Sequence, residues 1–424
     1  MADDWLMSGK AQSIIRHMQK DYFHIKDIEP QELMQLLLGH FGHGTNVKKL
    51  VHRFYHSATQ HYLEVTFDEN GATKGVVLSK DFPHAELEEI AEKIQDALLT
   101  KHAKRVIQII GFCSDKVTGY FKYKDLFQIL PISAKMQQTN VGLVDYPFIL
   151  EVAYDSSPIA TIDNMRRMRK ATVYIRLLNL LANRRIFSRP RYAQFAWVLN
   201  MDDTSNIHST WRQLEYVYTG LRGPGEDFSP VDHLPPIERV PFQTYYSSPN
   251  VRTLGSLTFP DDIEQSLEKA LMLDKDSWKK FFMACSWYAQ YPDTLRESNS
   301  SAFIALVTAL ECLAQKKEVC LTCNQPLLEN DEDTCSVCGQ PRYRVTKHFQ
   351  DFLKKHFPAI DSFPNEKRTL YQVRSQLAHG MDLLQADLEP WNFFIDAKMQ
   401  NQDPLQRNLH FIAGIAMYNW LHSP

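Results

Sequence analysis

The sequence predicts an α+β region over residues 1–262, followed by an all-α helical bundle over residues 263–424 with a four-cysteine insertion at 318–344. Three observations carry this reading. Short runs between His61 and Tyr154 are apolar and β-branched or aromatic, with turn residues between them. After residue 262 the apolar residues recur with helical spacing. Two Cys-x-x-Cys pairs interrupt that helical pattern between Glu318 and Arg344.

The elements follow in order. Residues 1–60 read as helical: Glu32 to Leu38 gives one short apolar face, ended by Gly39 to Gly44, and Val47 to His56 gives another. From His61 the period changes. His61–Phe67 and Lys74–Ser79 read as strands joined by Asp68-Glu-Asn-Gly71, which is turn chemistry. Leu87, Ile90, Ile94, Ala97 and Leu98 share a helical face within 84–103. Val106–Phe112, Tyr120–Lys124, Phe127–Leu130 and Phe148–Tyr154 read as strands, and 163–187 as one long helix. Gly220, Gly223, Gly225, Pro230, Pro235, Pro236 and Pro241 argue against a helix there. Helices are then expected at Ile263–Met272, Trp278–Tyr291, Ser300–Gln315, Thr346–Phe357, Asn365–His379 and Pro390–Met399. The last is expected to be capped by Asp403, with Pro404 at its first position.

Composition excludes several classes. Forty-seven Lys+Arg stand against 50 Asp+Glu, a net charge of −3, so no chain-wide basic surface is available for nucleic acid. The Met-Ala-Asp-Asp start has no basic, apolar leader behind it. No apolar run reaches the roughly 18 residues that span a bilayer. The reading is a cytoplasmic protein with no membrane partner. Gly220-Leu-Arg-Gly-Pro-Gly225 lacks the lysine and hydroxyl of a nucleotide phosphate loop.

Seven cysteines do not make a disulfide framework. Cys113, Cys285 and Cys312 lie singly in apolar stretches and read as core. The other four follow the pattern Cys320-x2-Cys323-x11-Cys335-x2-Cys338. Each pair can give two thiolates to one tetrahedral metal, and Zn(2+) is the expected ion. Four cysteines leave no open coordination position, so the zinc is expected to be structural. It would staple a loop too short to own a core.

Leu370-Tyr-Gln-Val-Arg-Ser-Gln-Leu-Ala-His-Gly380 closes a helix, with Gly380 where a left-handed cap is expected. Arg374 is five residues before His379, about 140° around an ideal helix. His379 can move a proton near neutral pH, and Arg374 offers a fixed fork of donors to a phosphate. The same residues also read as a capping histidine beside a structural arginine.

This segment resembles the Arg-x(4–6)-His motif of HEPN domains, and is most similar to the Apea-like HEPN group. There an Ala-Leu-Glu-Cys type run precedes the motif helix; here it is Val307-Thr-Ala-Leu-Glu-Cys-Leu313. The likeness covers about 262–424, and the zinc ribbon between the two helices departs from it. The resemblance implies a bundle of four or five helices that dimerises, so that two Arg–His motifs form one composite site. It implies cleavage of RNA without a catalytic cofactor, leaving 2′,3′-cyclic phosphate and 5′-hydroxyl ends. It further implies a toxin or antiphage defence role, with a trigger or a neutralising protein as a partner. Arg374 and His379 would be catalytic, with Glu311 and Ser375 orienting them. The alternative is a non-catalytic HEPN module that dimerises or binds nucleotide or RNA. Residues 1–262 would sense a trigger, regulate the nuclease or position its substrate.

Nine Lys+Arg and no acid lie between Arg166 and Arg191. Arg166, Arg167, Arg169, Lys170, Arg184 and Arg185 are candidates for RNA backbone contact, and Tyr174, Phe187 and Tyr192 for base stacking. A solvated face paired with acids elsewhere is the competing reading.

Overall fold

The computed structural model describes residues 28–56, 61–69, 71–100, 102–132, 146–188, 195–200, 208–213, 221–246, 255–295, 297–314, 320, 322–323, 325, 334–340, 345–388 and 397–423. In chain order the elements begin with helix α1 (Pro30–Phe41) and strands β1 (Gly44–Lys48), β2 (Val51–Tyr55), β3 (Tyr62–Phe67) and β4 (Thr73–Leu78). Helix α2 (His84–Ile94) continues as a π-helical turn, Gln95–Leu99. Strands β5 (Lys104–Cys113), β6 (Phe121–Tyr123), β7 (Phe127–Pro131) and β8 (Tyr146–Asp155) precede helix α3 (Ala160–Leu181). Next come β9 (Ile186–Phe187), the hairpin β10 (Phe195–Asn200) and β11 (His208–Gln213), β12 (Arg239–Val240), α4 (Phe242–Tyr245) and β13 (Phe259–Pro260). Helices α5 (Ile263–Leu271), α6 (Lys275–Thr294), α7 (Asn299–Leu313), α8 (Val345–His356), α9 (Pro364–Ala378), α10 (Gln385–Leu388) and α11 (Ala397–His422) complete the chain. The region before residue 263 is therefore mixed α+β and the region after it helical.

Two compact units divide these residues. The first comprises 1–107, 152–170 and 223–227; the second comprises 108–151, 171–222 and 228–424. In the first, β1-β2-β3-β4 form an antiparallel meander. Its Phe54, Leu63 and Val65 bury against Leu33, Leu36, Leu37 and Phe41 of α1 and Leu87, Ile90 and Ile94 of α2. The helical expectation for Val47–His56 fails here. Leu50 turns the chain with φ +63°, and Val51 and Phe54 enter the core from a strand that pairs on both sides. Its β-branched and aromatic side chains suit that pleated surface, and sheet pairing outweighs a two-turn apolar period.

The second unit holds the sheet β6-β7-β8-β5-β9 and the C-terminal helices. Glu151 of β8 is fully buried. It accepts hydrogen bonds from Gln108 (2.6 Å) and from the Ser229 backbone N–H (2.9 Å), with Arg222 at 3.4 Å. A buried carboxylate supplied with this many donors ties Arg222 and Ser229 to the sheet. In the helical part, α6 packs along α7, and α11 packs on α7 and α8. Phe281, Cys285, Phe303, Leu306, Leu310, Leu370, Leu409, Ile412, Ala416 and Met417 are buried there. Gly414 lets α11 approach α6: a Cβ at that position would meet the Tyr288 hydroxyl at 3.0 Å.

Two helix boundaries differ from expectation. The long helix ends at Leu181 rather than 187, because Asn183 turns left-handed (φ +44°) and Ile186 leaves to pair with Cys113. The last helix begins at Ala397 and runs through Pro404, so that proline does not open it. The β10–β11 hairpin was not anticipated. Part of the helix expected at Pro390–Met399 lies outside the described residues, as does Tyr192. Among the described residues, no helix is long and apolar enough to cross a membrane.

Candidate catalytic pair and metal centre

Glu311 sits near the end of α7, a helix whose Ala302, Phe303, Ala305, Leu306, Val307, Ala309 and Leu310 are all buried. Such a helix leaves little room for a charge without a partner. The partner comes from α9: Arg374 Nη2 donates to Glu311 Oε2 at 3.0 Å. The pair is partly shielded, with side chains 26% and 21% exposed. The guanidinium also lies 5.7 Å from the centre of the Tyr371 ring, one helical turn back. Burial raises the Tyr371 pKa, Arg374 pulls it down, and Glu311 pushes it up, leaving it above the ordinary value. Among the described residues, two polar atoms of the pair, Glu311 Oε1 and Arg374 Nε, are buried and have no hydrogen-bond partner. The Nε donor of the guanidinium is therefore uncommitted.

His379 ends α9. Its φ and ψ, −91° and 5°, have left the helical basin, and its N–H donates to the Ser375 carbonyl at 3.1 Å. Gly380 takes the expected left-handed conformation at φ +66°, and Met381 N–H returns to Gln376 O at 2.9 Å, satisfying a last-turn carbonyl. The His379 side chain is exposed, and among the described residues its ring has no hydrogen-bond partner. Within one chain, then, Arg374 meets Glu311, and His379 projects to solvent beyond the helix end. Ser375 is half-buried and holds the cap through its backbone carbonyl.

The segment after His379 is anchored to α7. Asp387 accepts N–H groups from Asn299 and Ser300, both at 2.7 Å, and the Ser298 hydroxyl at 2.8 Å. Leu384 N–H donates to Ser300 Oγ at 2.8 Å. A carboxylate at a helix N-terminus meets orphan donors and the positive dipole end. Burial pushes the Asp387 pKa up, but the hydrogen bonds from Ser300, Asn299 and Ser298 outweigh it and hold the group below the usual carboxylate value. The sequence reading missed Asp387 and Tyr371. Tyr371 was legible, because it stands three residues before Arg374 on one helix.

The four cysteines converge. Their sulfur atoms all lie within 4.8 Å of one another, with Cys320–Cys338 at 3.6 Å and Cys323–Cys335 at 3.7 Å. A disulfide needs about 2.05 Å. A tetrahedron of thiolates about 2.3 Å from a zinc has edges of about 3.8 Å. The two halves repeat one backbone pattern: Cys320 N–H donates to Gln325 O, and Cys335 N–H to Gln340 O, both at 2.8 Å. Gly339 supplies a left-handed turn at φ +66°. Backbone N–H groups of Cys323 and Thr322 draw the Cys320 thiol down to about 6. Cys323 and Cys338 stay above the ordinary thiol range. Backbone groups of Gln325 and Gln340 pull them down, but desolvation and neighbouring sulfurs prevail. Four sulfurs this close ionise together only with a cation among them, so the cluster can hold a metal ion. Burial pushes the Cys113 thiol up to about 12 and also raises Cys285 and Cys312, which disfavours their thiolates.

The basic segment is largely paired within its own chain. Arg166 donates to Glu32 at 2.8 Å and Arg169 at 3.3 Å, and Arg167 donates to Asn164 at 2.9 Å. Arg184 pairs with Asp115 at 2.5 Å, and Arg185 pairs with Asp293. Lys170 is exposed. Tyr174 is buried on Phe127, and Phe187 stacks on Phe112.

No family model matches the chain, and neither the curated proteins nor the solved structures contain a significant match.

Proposed function

We propose that this chain is a metal-independent endoribonuclease of the HEPN type, cutting RNA to 2′,3′-cyclic phosphate and 5′-hydroxyl ends. The observation that carries the reading is the Arg374–Glu311 pair. A half-buried guanidinium is oriented by one carboxylate and keeps a buried donor, Nε, unused. Such a group is poised for a second anion, and a scissile phosphate fits its fork. His379, exposed five residues on, supplies the proton chemistry.

The reaction needs two proton transfers. The 2′-oxygen loses its proton as it attacks phosphorus, and the departing 5′-oxygen gains one. One histidine cannot serve as base and acid on both sides of the phosphorus, so two copies of the motif, contributed by a homodimer, complete the site. The cysteine cluster takes a structural Zn(2+). Four thiolates fill its coordination sphere, which leaves no position for substrate or water. Residues 1–262 sense a trigger or restrain the nuclease, in keeping with a toxin or antiphage effector.

The test is RNA cleavage with end-group analysis. His379→Ala and Arg374→Ala should each lose at least about 100-fold in rate while staying folded. Cleavage should persist when EDTA is added at assay time. Wild-type rates in both variants would refute the assignment. No cleavage by wild type, with RNA binding intact, would favour the non-catalytic module.

A further inference from the structure

The outer face of α6 carries a feature that the nuclease site does not use. Trp278 and Phe282, one turn apart, stack with ring centroids 5.5 Å apart and planes at 17°. Arg176 of α3 lies with its guanidinium carbon 5.0 Å from the Phe282 centroid. Arg176 Nη1 donates to Ser286 Oγ at 2.7 Å, and that hydroxyl in turn donates to the Phe282 carbonyl at 2.6 Å, so the guanidinium plane is fixed. All three side chains are part-exposed. The adjacent Phe281 shows the contrast, being fully buried and stacked on Trp420.

Arg176, Lys275 and Lys279 place positive charge on this face. Arg166, Arg169, Arg184, Arg185, Arg239 and Arg374 each pair with a carboxylate, but among the described residues Arg176 meets none. Burial lowers its pKa, and the Cys285 thiol beside it only partly opposes that. Lys275 and Lys279 flank Trp278 and are exposed. Nearby acids are committed or turned away. Asp274 caps its own helix through Asp276 N–H and Ser277 N–H, and Asp276 lies about 200° around the helix from Trp278. Planar aromatic and guanidinium faces in a row, beside lysines, match successive bases on a phosphate backbone. Duplex bases are already stacked, so a single strand is the fitting partner.

We infer that Trp278, Phe282 and Arg176 form a stacking platform for single-stranded RNA, with Lys275 and Lys279 holding its backbone. The inference deepens the ribonuclease reading by locating a substrate contact, and it rests on that reading only for the choice of RNA. The test uses the full chain and a labelled 2′-O-methyl oligonucleotide of about a dozen nucleotides, which cannot be cut by 2′-attack. Fluorescence anisotropy should show Trp278→Ala and Arg176→Gln each binding about tenfold more weakly or worse. Trp278→Phe, which keeps the stack, should stay within about threefold of wild type, and unchanged melting curves would exclude misfolding. Unchanged affinity in Trp278→Ala would overturn the proposal. So would absence of binding by wild type, or equal binding of a duplex; a protein partner for this face would then be the better reading. Cleavage of unmodified RNA is scored separately. Platform-dependent binding without cleavage supports the platform and defeats the ribonuclease reading. Cleavage with an unaltered KM in Trp278→Ala does the reverse.

Discussion

Arg374 and Glu311 are 63 positions apart, and each is the ion-pair partner of the other in a part-buried place. Removing one partner leaves the other part-buried and alone, whereas removing both leaves an apolar contact of similar volume. We expect Glu311→Leu to cost about 1–2 kcal/mol, less than the ~3–5 of a fully buried pair because a quarter of each side chain is exposed. The Glu311→Leu/Arg374→Met double variant should be more stable than the sum of its single variants requires, by at least about 0.5 kcal/mol. Denaturant titration of the four proteins measures this coupling; strict additivity would show that the ion pair carries no stability.

The cap between α10 and α7 fixes where the chain goes after His379. Asp387→Ala should cost about 1–2 kcal/mol at pH 7, because it removes three hydrogen bonds and the favourable charge at the α7 N-terminus. The Asp387 pKa is lower in the folded chain than the roughly 3.9 of an unfolded aspartate. Its contribution is therefore fully present above that value and is lost as pH falls through the folded pKa. The stability gap between wild type and Asp387→Ala should shrink from pH 7 to pH 3, and a constant gap would refute the cap. The cysteine cluster makes a separate prediction. Elemental analysis should find one zinc per chain, lost in Cys320→Ser. Prolonged chelation should lower the melting temperature but spare the helical circular dichroism, because α6, α7, α9 and α11 bury apolar side chains of their own, such as Phe281, Phe303, Leu370 and Leu409.

Across the whole molecule, the proposed chemistry demands two copies. His379 is exposed, and Met381 and Leu383, just beyond it, are 68% and 44% exposed. Apolar side chains beside a half-complete site suit burial by a second protomer. Light scattering at micromolar concentration should give twice the chain mass, and Met381→Glu should shift it toward monomer and reduce cleavage together. Full activity in a strict monomer would refute the composite site.

Much of this was legible from residues alone. The α+β to all-α change at 262 shows as a change of period, and Ile263 does begin a helix. The cysteine spacing predicted a cluster, and the sulfurs meet, because two short knuckles close locally. Gly380 ends α9 as the helix-stop signal predicts. Glu311 is visible in the sequence as a charge on an otherwise apolar run, which calls for a partner, and Arg374 supplies it. Tertiary structure decided the rest. Val47–His56 became two strands because neighbouring strands supplied partners for its backbone, which no local pattern records. The arginines of 166–185 read as an RNA-facing stripe until Glu32, Asp115 and Asp293 arrived from distant positions to pair with four of them. Arg176, from the same stripe, meets no carboxylate among the described residues and lies instead on the Phe282 ring. Local sequence sets which charges exist; only the folded chain sets which of them remain uncompensated.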